Sequence, residues 1–282
     1  MIKDSDAHFN PNRMLSQHQA ALTLLQPRAS DPATKTLQWL DLACGRGQII
    51  AALDKNMPPK DRAKIRYYGY DIKEEFVLQT TRIANNLAMR SVEGKIGDLS
   101  NFNSLYDNKL LFDFISLTNT VHEVDPGYLA ALIIDSLLRL KNKGTLFVYD
   151  MEKINPPELG AVPWRGDEMQ KIIDMVLETL GAPHVYRPGV GVWQHSTCTA
   201  WNVIIDRKHL RVTAKKLVAR RVKAVAKTRQ VIQKLLENKL DLCRKSLASL
   251  TTFGEQTSEE KENKLHFLYE YWAVSRALEH AK

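Results

Sequence analysis

Glycines and a carboxylate follow one another at the end of the first strongly apolar segment of the chain. The segment Leu37–Leu42 is followed at once by the turn Ala43–Gly47, which contains Gly45 and Gly47. Glycine lets a backbone turn tightly and lets a ligand approach it closely, and the helix after such a turn presents free N–H groups. Asp41 lies near the carboxyl end of the predicted strand, where open α/β sheets bind their ligands. Together these residues predict a nucleotide-binding turn.

Two classes of ligand compete for this turn. A dinucleotide site would carry a third glycine in the pattern GxGxxG, but the residue at that position is Ile50. The pyrophosphate of a dinucleotide would also be repelled by Asp41. S-adenosylmethionine has a sulfonium and an ammonium group and no phosphate, so a neighbouring carboxylate favours its binding. The residue pattern therefore favours a positively charged nucleoside.

Four segments in chain order resemble the motifs of the class I S-adenosylmethionine-dependent methyltransferases. The segment Asp41–Gly47 resembles the first motif, Gly69–Asp71 ends the second predicted strand, Gly97–Leu99 follows the third, and Asp113–Leu117 resembles the fourth-strand motif. The resemblance covers roughly residues 36–207. It implies S-adenosylmethionine as the cofactor, but it does not identify the methyl acceptor, because function depends on the site and not on the fold.

The resemblance also implies roles for individual residues. In the family, the acid that ends the second strand binds the ribose hydroxyls, which implies that role for Asp71, since one carboxylate can accept both hydroxyls. The acid after the third strand receives the adenine amino group, which implies that role for Asp98, with the backbone N–H of Leu99 on the ring. Asn119 would lie beside the methionine part. The predicted cofactor-binding residues are Asp41, Ala43, Cys44, Gly45, Gly47, Asp71, Ile72, Asp98, Leu99 and Asn119.

Each of these residues taken alone has a structural alternative. Asp71 could be a helix N-cap, Asp98 could cap a turn, and Cys44 is interpreted as a small packing residue. One shared ligand explains them better when they are taken together.

His122 and Glu123 follow the fourth predicted strand and are the candidate catalytic residues. A histidine at that place could accept a proton from a hydroxyl group or a ring nitrogen. The alternative is that His122 packs in the loop while Glu123 is solvated or caps the next helix. Asp150 and Glu152, at the end of the fifth predicted strand, are interpreted as solvated or helix-capping acids.

Two classes of methyl acceptor are disfavoured because the sequence lacks the motifs that their enzymes carry. Enzymes that methylate the amino groups of adenine or of glutamine have Asn/Asp-Pro-Pro-Tyr/Phe after the fourth strand, where this chain has Thr118–Val121. Methylation of cytosine C5 needs a cysteine nucleophile, and Cys198 and Cys243 lie on a predicted strand and on the C-terminal helix. Trp164 and Arg165 are predicted to stack an acceptor ring. Their alternative is a tryptophan folded onto the sheet beside an exposed arginine.

Positive charge is concentrated in one part of the chain. The net charge is +8, and Arg207–Lys234 holds eleven of the 40 basic residues and no acid, so the remaining 29 basic and 32 acidic residues give −3. Such asymmetry indicates a polyanionic partner. We therefore favour RNA or another nucleic acid as the substrate, with phosphate contacts from Lys215, Lys216, Arg220 and Arg221.

Two other functions stay open for the C-terminal helices. They could form an assembly module that binds a second copy of the chain or a protein partner. They could also be a structural appendage of a small-molecule methyltransferase or of a non-catalytic subunit with the methyltransferase fold.

The alternation of strand and helix patterns predicts an α/β fold with a doubly wound, mainly parallel seven-stranded sheet. Its last two strands should be antiparallel, and a C-terminal α-helical hairpin should follow. Strands are predicted at residues 37–42, 65–70, 92–96, 110–117, 145–149, 184–186 and 197–205. Helices are predicted at residues 48–53, 74–89, 129–140, 167–180, 209–250 and about 257–280. An amphipathic stretch precedes them, with Pro27 and the pair Asp31 and Pro32 predicted to end it. Residues 142–144 should stop the third of these helices.

The predicted organisation is an N-terminal helical lead-in (residues 1–32), a class I methyltransferase domain (33–207) and a basic helical hairpin (208–282). No apolar run approaches the roughly 18 to 20 residues of a membrane span. The first residues lack the apolar stretch of a secretory signal, so we expect a cytoplasmic protein without a membrane contact. The cysteines are three in number and far apart, which fits neither a disulfide framework nor a CxxC metal site, and we expect no metal.

Overall fold

The computed structural model describes residues 15–107, 109–154, 156–194, 199–251 and 257–280. The chain divides into two compact units. Unit 1 comprises Met1–Thr118, Asp135–Val148 and Ile204–Lys208. Unit 2 comprises Asn119–Ile134, Tyr149–Val203 and His209–Lys282. Within the described ranges, no helix is both long and apolar enough to cross a membrane.

Seven strands of the described chain form one sheet in the order β3-β2-β1-β4-β5-β7-β6. They are β1 (Leu37–Leu42), β2 (Ile65–Asp71), β3 (Ser91–Ile96), β4 (Phe112–Thr118), β5 (Leu140–Met151), β6 (Gly191–Gln194) and β7 (Thr199–Asp206). The pairs β1–β2, β1–β4 and β2–β3 are parallel, whereas β6–β7 is antiparallel. The predicted fold class is thereby confirmed.

The helices alternate with the strands and then continue without them. They are α1 (Ser16–Ser30), α2 (Gln48–Asn56), the single turn α3 (Pro59–Arg62), α4 (Glu74–Asn86), α5 (Pro126–Leu138), α6 (Gly166–Leu180), α7 (Ala214–Thr251) and α8 (Ser258–His280). A capping box begins α8, because the N–H of Thr257 donates to Glu260 and the N–H of Glu260 donates to Thr257 Oγ1.

Three element predictions are wrong. Residues 184–186 form a turn and not a strand, because Tyr186 N–H donates to the carbonyl of Pro183, and the strand that pairs with β7 is β6. Residues 142–144, predicted to stop a helix, lie inside β5, which begins directly after α5. Pro27 lies inside α1, which continues to Ser30, because a proline near the end of a helix removes only one N–H donor.

Three helix starts also differ from the prediction. Helix α5 begins at Pro126 and not at residue 129. Helix α7 begins at Ala214 and not at residue 209, after a 3₁₀ turn over Arg207–Leu210 and a left-handed Arg211 with φ of 51°. Helix α6 begins at Gly166, and its capping box is closed by Glu168, which accepts the N–H of Arg165 at 2.8 Å.

Buried charges join the helices of unit 2. Lys239 on α7 is 6% exposed, and its Nζ lies 2.9 Å from Glu168 on α6 and 3.3 Å from Glu270 on α8. A buried ammonium group needs such partners, since leaving it unpaired would cost several kcal/mol. The arrangement fixes which faces of the three helices meet.

Candidate functional site

Asp41 is held inside unit 1 by two hydroxyl groups. Ser116 Oγ donates to its Oδ1 at 2.6 Å, Tyr67 donates to its Oδ2 at 3.0 Å, and Trp39 Nε1–H donates to Ser116 in turn. Burial raises the pKa of the Asp41 carboxyl to about 6, although the hydrogen bonds from Ser116 and Tyr67 lower it. Asp41 therefore already has two hydrogen-bond donors within the protein, in addition to the cationic ligand that the sequence predicts for it.

The turn after β1 has an unusual backbone. Ala43, Gly45 and Gly47 have φ values of 53°, 52° and 77°, in the left-handed region. Asp71, at the end of β2, fixes this turn, because its Oδ2 accepts the N–H of Gly45 at 2.9 Å and its Oδ1 accepts the N–H of Lys73 at 3.0 Å. The alternative of Asp71 as a helix cap is excluded in the described structure, where the N-cap residue of α4 is Lys73.

The two glycines of the turn have different surroundings. A methyl group added to Gly45 would meet no atom of the described residues within 4 Å. A methyl group on Gly47 would lie 3.0 Å from Thr80 Oγ1 and 3.1 Å from Ile83 Cδ1. Gly47 is therefore needed for packing against α4, whereas Gly45 borders open space in which a ligand can approach the backbone.

Cys44 is buried in this turn, and burial, with the charges of Asp41 and Asp71, holds the pKa of its thiol well above the ordinary value. A thiol that stays protonated is a packing group and not a nucleophile. This agrees with the interpretation of Cys44 as a small packing residue.

The remaining residues of the predicted set in unit 1 lie at the ends of β2 and β3. Ile72 is 62% exposed, a large apolar side chain in water. Asp98 is exposed and caps the 3₁₀ turn that begins at Leu99, since its Oδ1 accepts the N–H of Ser100 at 2.8 Å. Asp98 thus caps a turn, which was the structural alternative to adenine binding. Its second oxygen makes no hydrogen bond with the described residues.

Asn119, in unit 2, directly follows β4 and is also left-handed, with φ of 51°. Its N–H donates to the carbonyl of Tyr149 at 2.8 Å. Its Oδ1 is buried and has no hydrogen-bond partner in the part of the chain that the structure describes. A buried acceptor without a donor is costly, and a strained conformation at such a residue is typical of a ligand site.

His122 and Asp150 form a buried pair in unit 2. The side chains are 3% and 1% exposed, and His122 Nδ1 lies 2.7 Å from Asp150 Oδ1. The backbone N–H of His122 donates to the other oxygen of Asp150 at 2.8 Å. Both groups are thereby held in one orientation, and the interpretation of Asp150 as a solvated or helix-capping acid is wrong.

The surroundings of the pair raise the pKa of His122. Burial lowers the pKa of His122, but the hydrogen bond to Asp150 and the charges of Asp150, Glu123 and Glu158 outweigh it and hold the pKa above the ordinary value of 6.5. With Nδ1 bound to Asp150, Nε2 is the nitrogen that can exchange a proton with an acceptor. This is the arrangement of a histidine that acts as a general base.

Two glutamates lie next to this nitrogen. Nε2 of His122 is 3.8 Å from Glu123 and 3.7 Å from Glu158, beyond hydrogen-bond distance. The nitrogen and one oxygen from each glutamate lie within 4.8 Å of one another, close enough to ligate a metal ion. Glu158 was not found from the sequence, because nothing in a loop of prolines and acids indicates which acid meets His122.

Trp164 and Arg165 adopt the alternative arrangement. Trp164 is buried, with its ring 5.8 Å from the ammonium of Lys239, and its carbonyl accepts the indole N–H of Trp201. Arg165 is exposed and lies 3.1 Å from Asp167. The tryptophan therefore offers no open face for stacking, whereas the arginine remains accessible.

The four basic residues predicted to contact phosphates divide into two kinds. Lys215 and Lys216 are exposed at the start of α7. Arg220 donates to the carbonyl of Leu180 at 2.7 Å, at the C-terminus of α6, and Arg221 is half-buried. A guanidinium at a helix C-terminus stabilises the helix through its free carbonyls and its dipole, so Arg220 already has a structural role.

The sequence matches the model of one protein family. The sequence model of a family described as a methyltransferase domain matches residues 33–177, about half of the chain. No curated protein matches the sequence.

Several solved structures resemble the fold. One is the magnesium protoporphyrin IX methyltransferase of Synechocystis PCC 6803 with bound SAH, at 15% identity and a TM-score of 0.48, over 68% of this chain and 83% of that one. Another is a SAM-dependent methyltransferase of Aquifex aeolicus, at 22% identity and a TM-score of 0.42, over 67% and 89%. A third is a putative rRNA methylase of Clostridium thermocellum, at 14% identity and a TM-score of 0.46, over 69% and 97%. The names of the first and third proteins give different acceptors, and the name of the second gives none.

Proposed function

The chain belongs to the class I S-adenosylmethionine-dependent methyltransferase family, so its cofactor is S-adenosylmethionine, and we propose that His122 deprotonates the methyl acceptor. The observation that carries this proposal is the buried pair of His122 and Asp150, in which Nδ1 is fixed and Nε2 makes no hydrogen bond with the described residues. An acceptor that must lose a proton, such as a hydroxyl group, requires a base of this kind.

Two features of unit 1 fit the cofactor. Gly45 borders open space beside a backbone held by Asp71, which suits the close approach of a nucleoside. Ile72 offers an exposed apolar side chain next to Asp71, suited to a purine face. In unit 2, taken by itself, Oδ1 of Asn119 has no hydrogen-bond partner among the described residues and suits an ammonium donor. When bound, the cofactor supplies an electrophilic methyl carbon, and the electron pair of its C–S bond stays on sulfur.

The chain's own residues supply the proton chemistry. His122 in its neutral form takes the acceptor proton on Nε2, and the imidazolium that results is stabilised by the carboxylate of Asp150. Asp150 is a positioning residue, because it orients the ring through Nδ1 and also raises the pKa of His122. The acceptor lone pair released by this step forms the new bond to carbon.

The pH dependence of methyl transfer tests this proposal. Because His122 must be neutral to accept a proton, the rate should rise with pH through a pKa above 6.5. Asp150→Asn removes the hydrogen bond to the charged ring and a nearby negative charge, so the rising limb should shift to lower pH while the maximum rate falls. An Asp150→Asn enzyme with an unshifted profile would contradict the assignment.

Removal of metal separates a base from a metal ligand at the same place. If His122 acts as the base, treatment with EDTA leaves the rate unchanged, and added Zn²⁺ inhibits by binding Nε2 and the two glutamates. A rate that EDTA abolishes and a divalent ion restores would instead assign His122, Glu123 and Glu158 to a metal centre.

Nucleic acid is a second candidate acceptor, supported by exposed lysines on α7. Lys215, Lys216, Lys223, Lys227 and Lys234 are exposed along this helix. Binding of RNA through these residues should weaken steeply with added salt, because counterions are released from the phosphates. Association that is absent, or insensitive to salt, would leave the lysines as a solvated face.

A further inference from the structure

Unit 2 contains a cavity of about 310 Å³ whose walls come from three parts of the chain. The long loop between β5 and α6 forms one wall, the first turn of α6 forms another, and both helices of the C-terminal hairpin, α7 and α8, close it. The volume lies near the lower end of the range for small-molecule sites, which is roughly 300 to 1,000 Å³. A compact organic molecule fits this space, whereas a folded nucleic acid does not.

One side chain connects the cavity with the proposed base. Glu158 lines the cavity, and its carboxylate lies 3.7 Å from Nε2 of His122. Glu152 also lines it and is fixed by the N–H of Gly166 at 2.6 Å. A molecule in the cavity that reaches past Glu158 therefore presents its end to the nitrogen that takes the proton.

The walls of the cavity combine apolar surface with a net excess of acids. Ile154, Pro157, Leu242 and Phe267 provide aliphatic and aromatic contacts suited to a ring. Four glutamates line it against two lysines and one arginine, and Lys239 is already bound by Glu168 and Glu270. A carboxylate or phosphate in this space would meet uncompensated negative charge, so an uncharged molecule is favoured.

His266 adds to the cavity wall a polar group whose hydrogen-bonding capacity is not satisfied by the described residues. It lines the cavity, and its Nε2 is buried without a hydrogen bond from the described residues, since Glu262 is 3.9 Å away. Burial, together with the charge of Lys153, holds the pKa of His266 below its ordinary value. A neutral imidazole can either accept or donate a hydrogen bond, which suits the hydroxyl, ether or carbonyl oxygen of a ligand.

We propose that this cavity binds the methyl acceptor, and that the acceptor is an uncharged, ring-containing compound with a hydroxyl group directed toward His122. The inference rests on the proposed function, because it takes the proton transfer to Nε2 as given. The O–H proton goes to Nε2, the oxygen lone pair forms the bond to the methyl carbon, and the C–S pair remains on sulfur. The C-terminal hairpin then forms a wall of the acceptor site.

Binding of hydroxycoumarin, an uncharged fluorescent phenol with two rings, tests the cavity directly. Titration of the full chain should give saturable binding at one site. Leu242→Trp, which places a larger side chain on the cavity wall, should weaken this binding about tenfold. Leu265→Trp, an equal change at an exposed position on α8 outside the cavity, should leave binding unchanged. His266→Phe, which keeps the volume but removes the nitrogens, should weaken binding to a smaller extent.

Charge provides a second comparison. The carboxylate derivative of hydroxycoumarin should bind several-fold more weakly than the parent compound, because the cavity carries excess negative charge. Calorimetry of S-adenosylmethionine with each variant serves as the folding control. A wild-type chain that does not bind hydroxycoumarin, or that binds it equally after Leu242→Trp, would overturn the cavity assignment.

The result for His122→Ala separates this inference from the proposed function. If both are right, the variant binds hydroxycoumarin as the wild type does but no longer methylates it. If the variant methylates it at the wild-type rate, the proposed function fails while the cavity assignment stands. If binding is absent from every variant while another acceptor is methylated in a His122-dependent manner, the cavity assignment alone fails.

Discussion

The two units of the molecule use a buried aspartate in opposite ways. In unit 1, Asp41 is buried against two neutral hydroxyl groups, and burial therefore raises its pKa to about 6. In unit 2, Asp150 is buried against a histidine, and the pair raises the pKa of the histidine instead. A carboxylate beside hydroxyls orders a strand end and a turn, whereas a carboxylate beside imidazole prepares a base.

The difference between the units extends to how a ligand would be held. In unit 1 the important groups belong mostly to the backbone: the left-handed turn with Gly45 and the N–H groups that Asp71 fixes. In unit 2 they are side chains, namely His122, Glu158 and His266. Backbone recognition suits a cofactor shared by a whole family, while side chains suit an acceptor particular to one enzyme. The family model, which matches residues 33–177, includes the first set together with His122 and Glu158, and it stops short of His266 and of both C-terminal helices.

The largest expected effect concerns the base in unit 2. His122→Ala should lower the rate of methyl transfer, followed as formation of S-adenosylhomocysteine, by about 100-fold or more, since a positioned general base contributes on that order. Affinity for S-adenosylmethionine, measured by calorimetry, should not change. His184→Ala, at an exposed histidine of the same unit, is the matched control. A His122→Ala enzyme that keeps its rate would reduce this histidine to a packing residue.

The next effect concerns the buried acid in unit 1. Burial raises the pKa of Asp41 from its ordinary value of 3.8 to about 6, so the folded state binds the proton more tightly than the unfolded chain does. The stability that this gives is fully present below about pH 4 and is lost as the pH rises through 6, by about 3 kcal/mol at most. Urea unfolding of Asp41→Asn should show a weaker loss over this range, because an amide does not ionise. Asp241→Asn, at an exposed position on α7, should unfold with the wild-type pH dependence.

Much of unit 1 could be predicted from the sequence because its determinants are local. Apolar runs gave β1, β2 and β4 to within one or two residues, and the order of glycines and acids indicated the turn and the cofactor. Unit 2 was harder. The contact of His122 with Asp150 joins residues 28 positions apart, and an acid at a strand end looks the same whether it is solvated or buried. Strand β6 has only four residues, too few for an alternating pattern, and it lies five residues beyond the segment 184–186 that was predicted.

The two glycines of the turn give a smaller effect that separates packing from ligand binding. Gly45→Ala should cost about 1 kcal/mol of stability, the strain of a left-handed residue, and should strongly weaken binding of S-adenosylmethionine because the methyl group enters the open space. Gly47→Ala should cost more stability, since the added carbon would lie about 3 Å from both Thr80 and Ile83. Thermal unfolding and calorimetry on the same samples measure both quantities. Equal cofactor affinity in Gly45→Ala and wild type would place the ligand elsewhere.

The smallest effect divides the basic segment of α7 between structure and binding. Arg220 caps the C-terminus of α6 through the carbonyl of Leu180, so Arg220→Ala should lower the free energy of unfolding by about 1 kcal/mol. Lys216→Ala, at an exposed position four residues earlier, should change it by less than about 0.5 kcal/mol. If the segment binds RNA, Lys216→Ala should still reduce the salt dependence of that binding, by about one released counterion. A Lys216→Ala variant without effect on either measurement would mean that this lysine contributes neither to stability nor to RNA binding and is simply solvated.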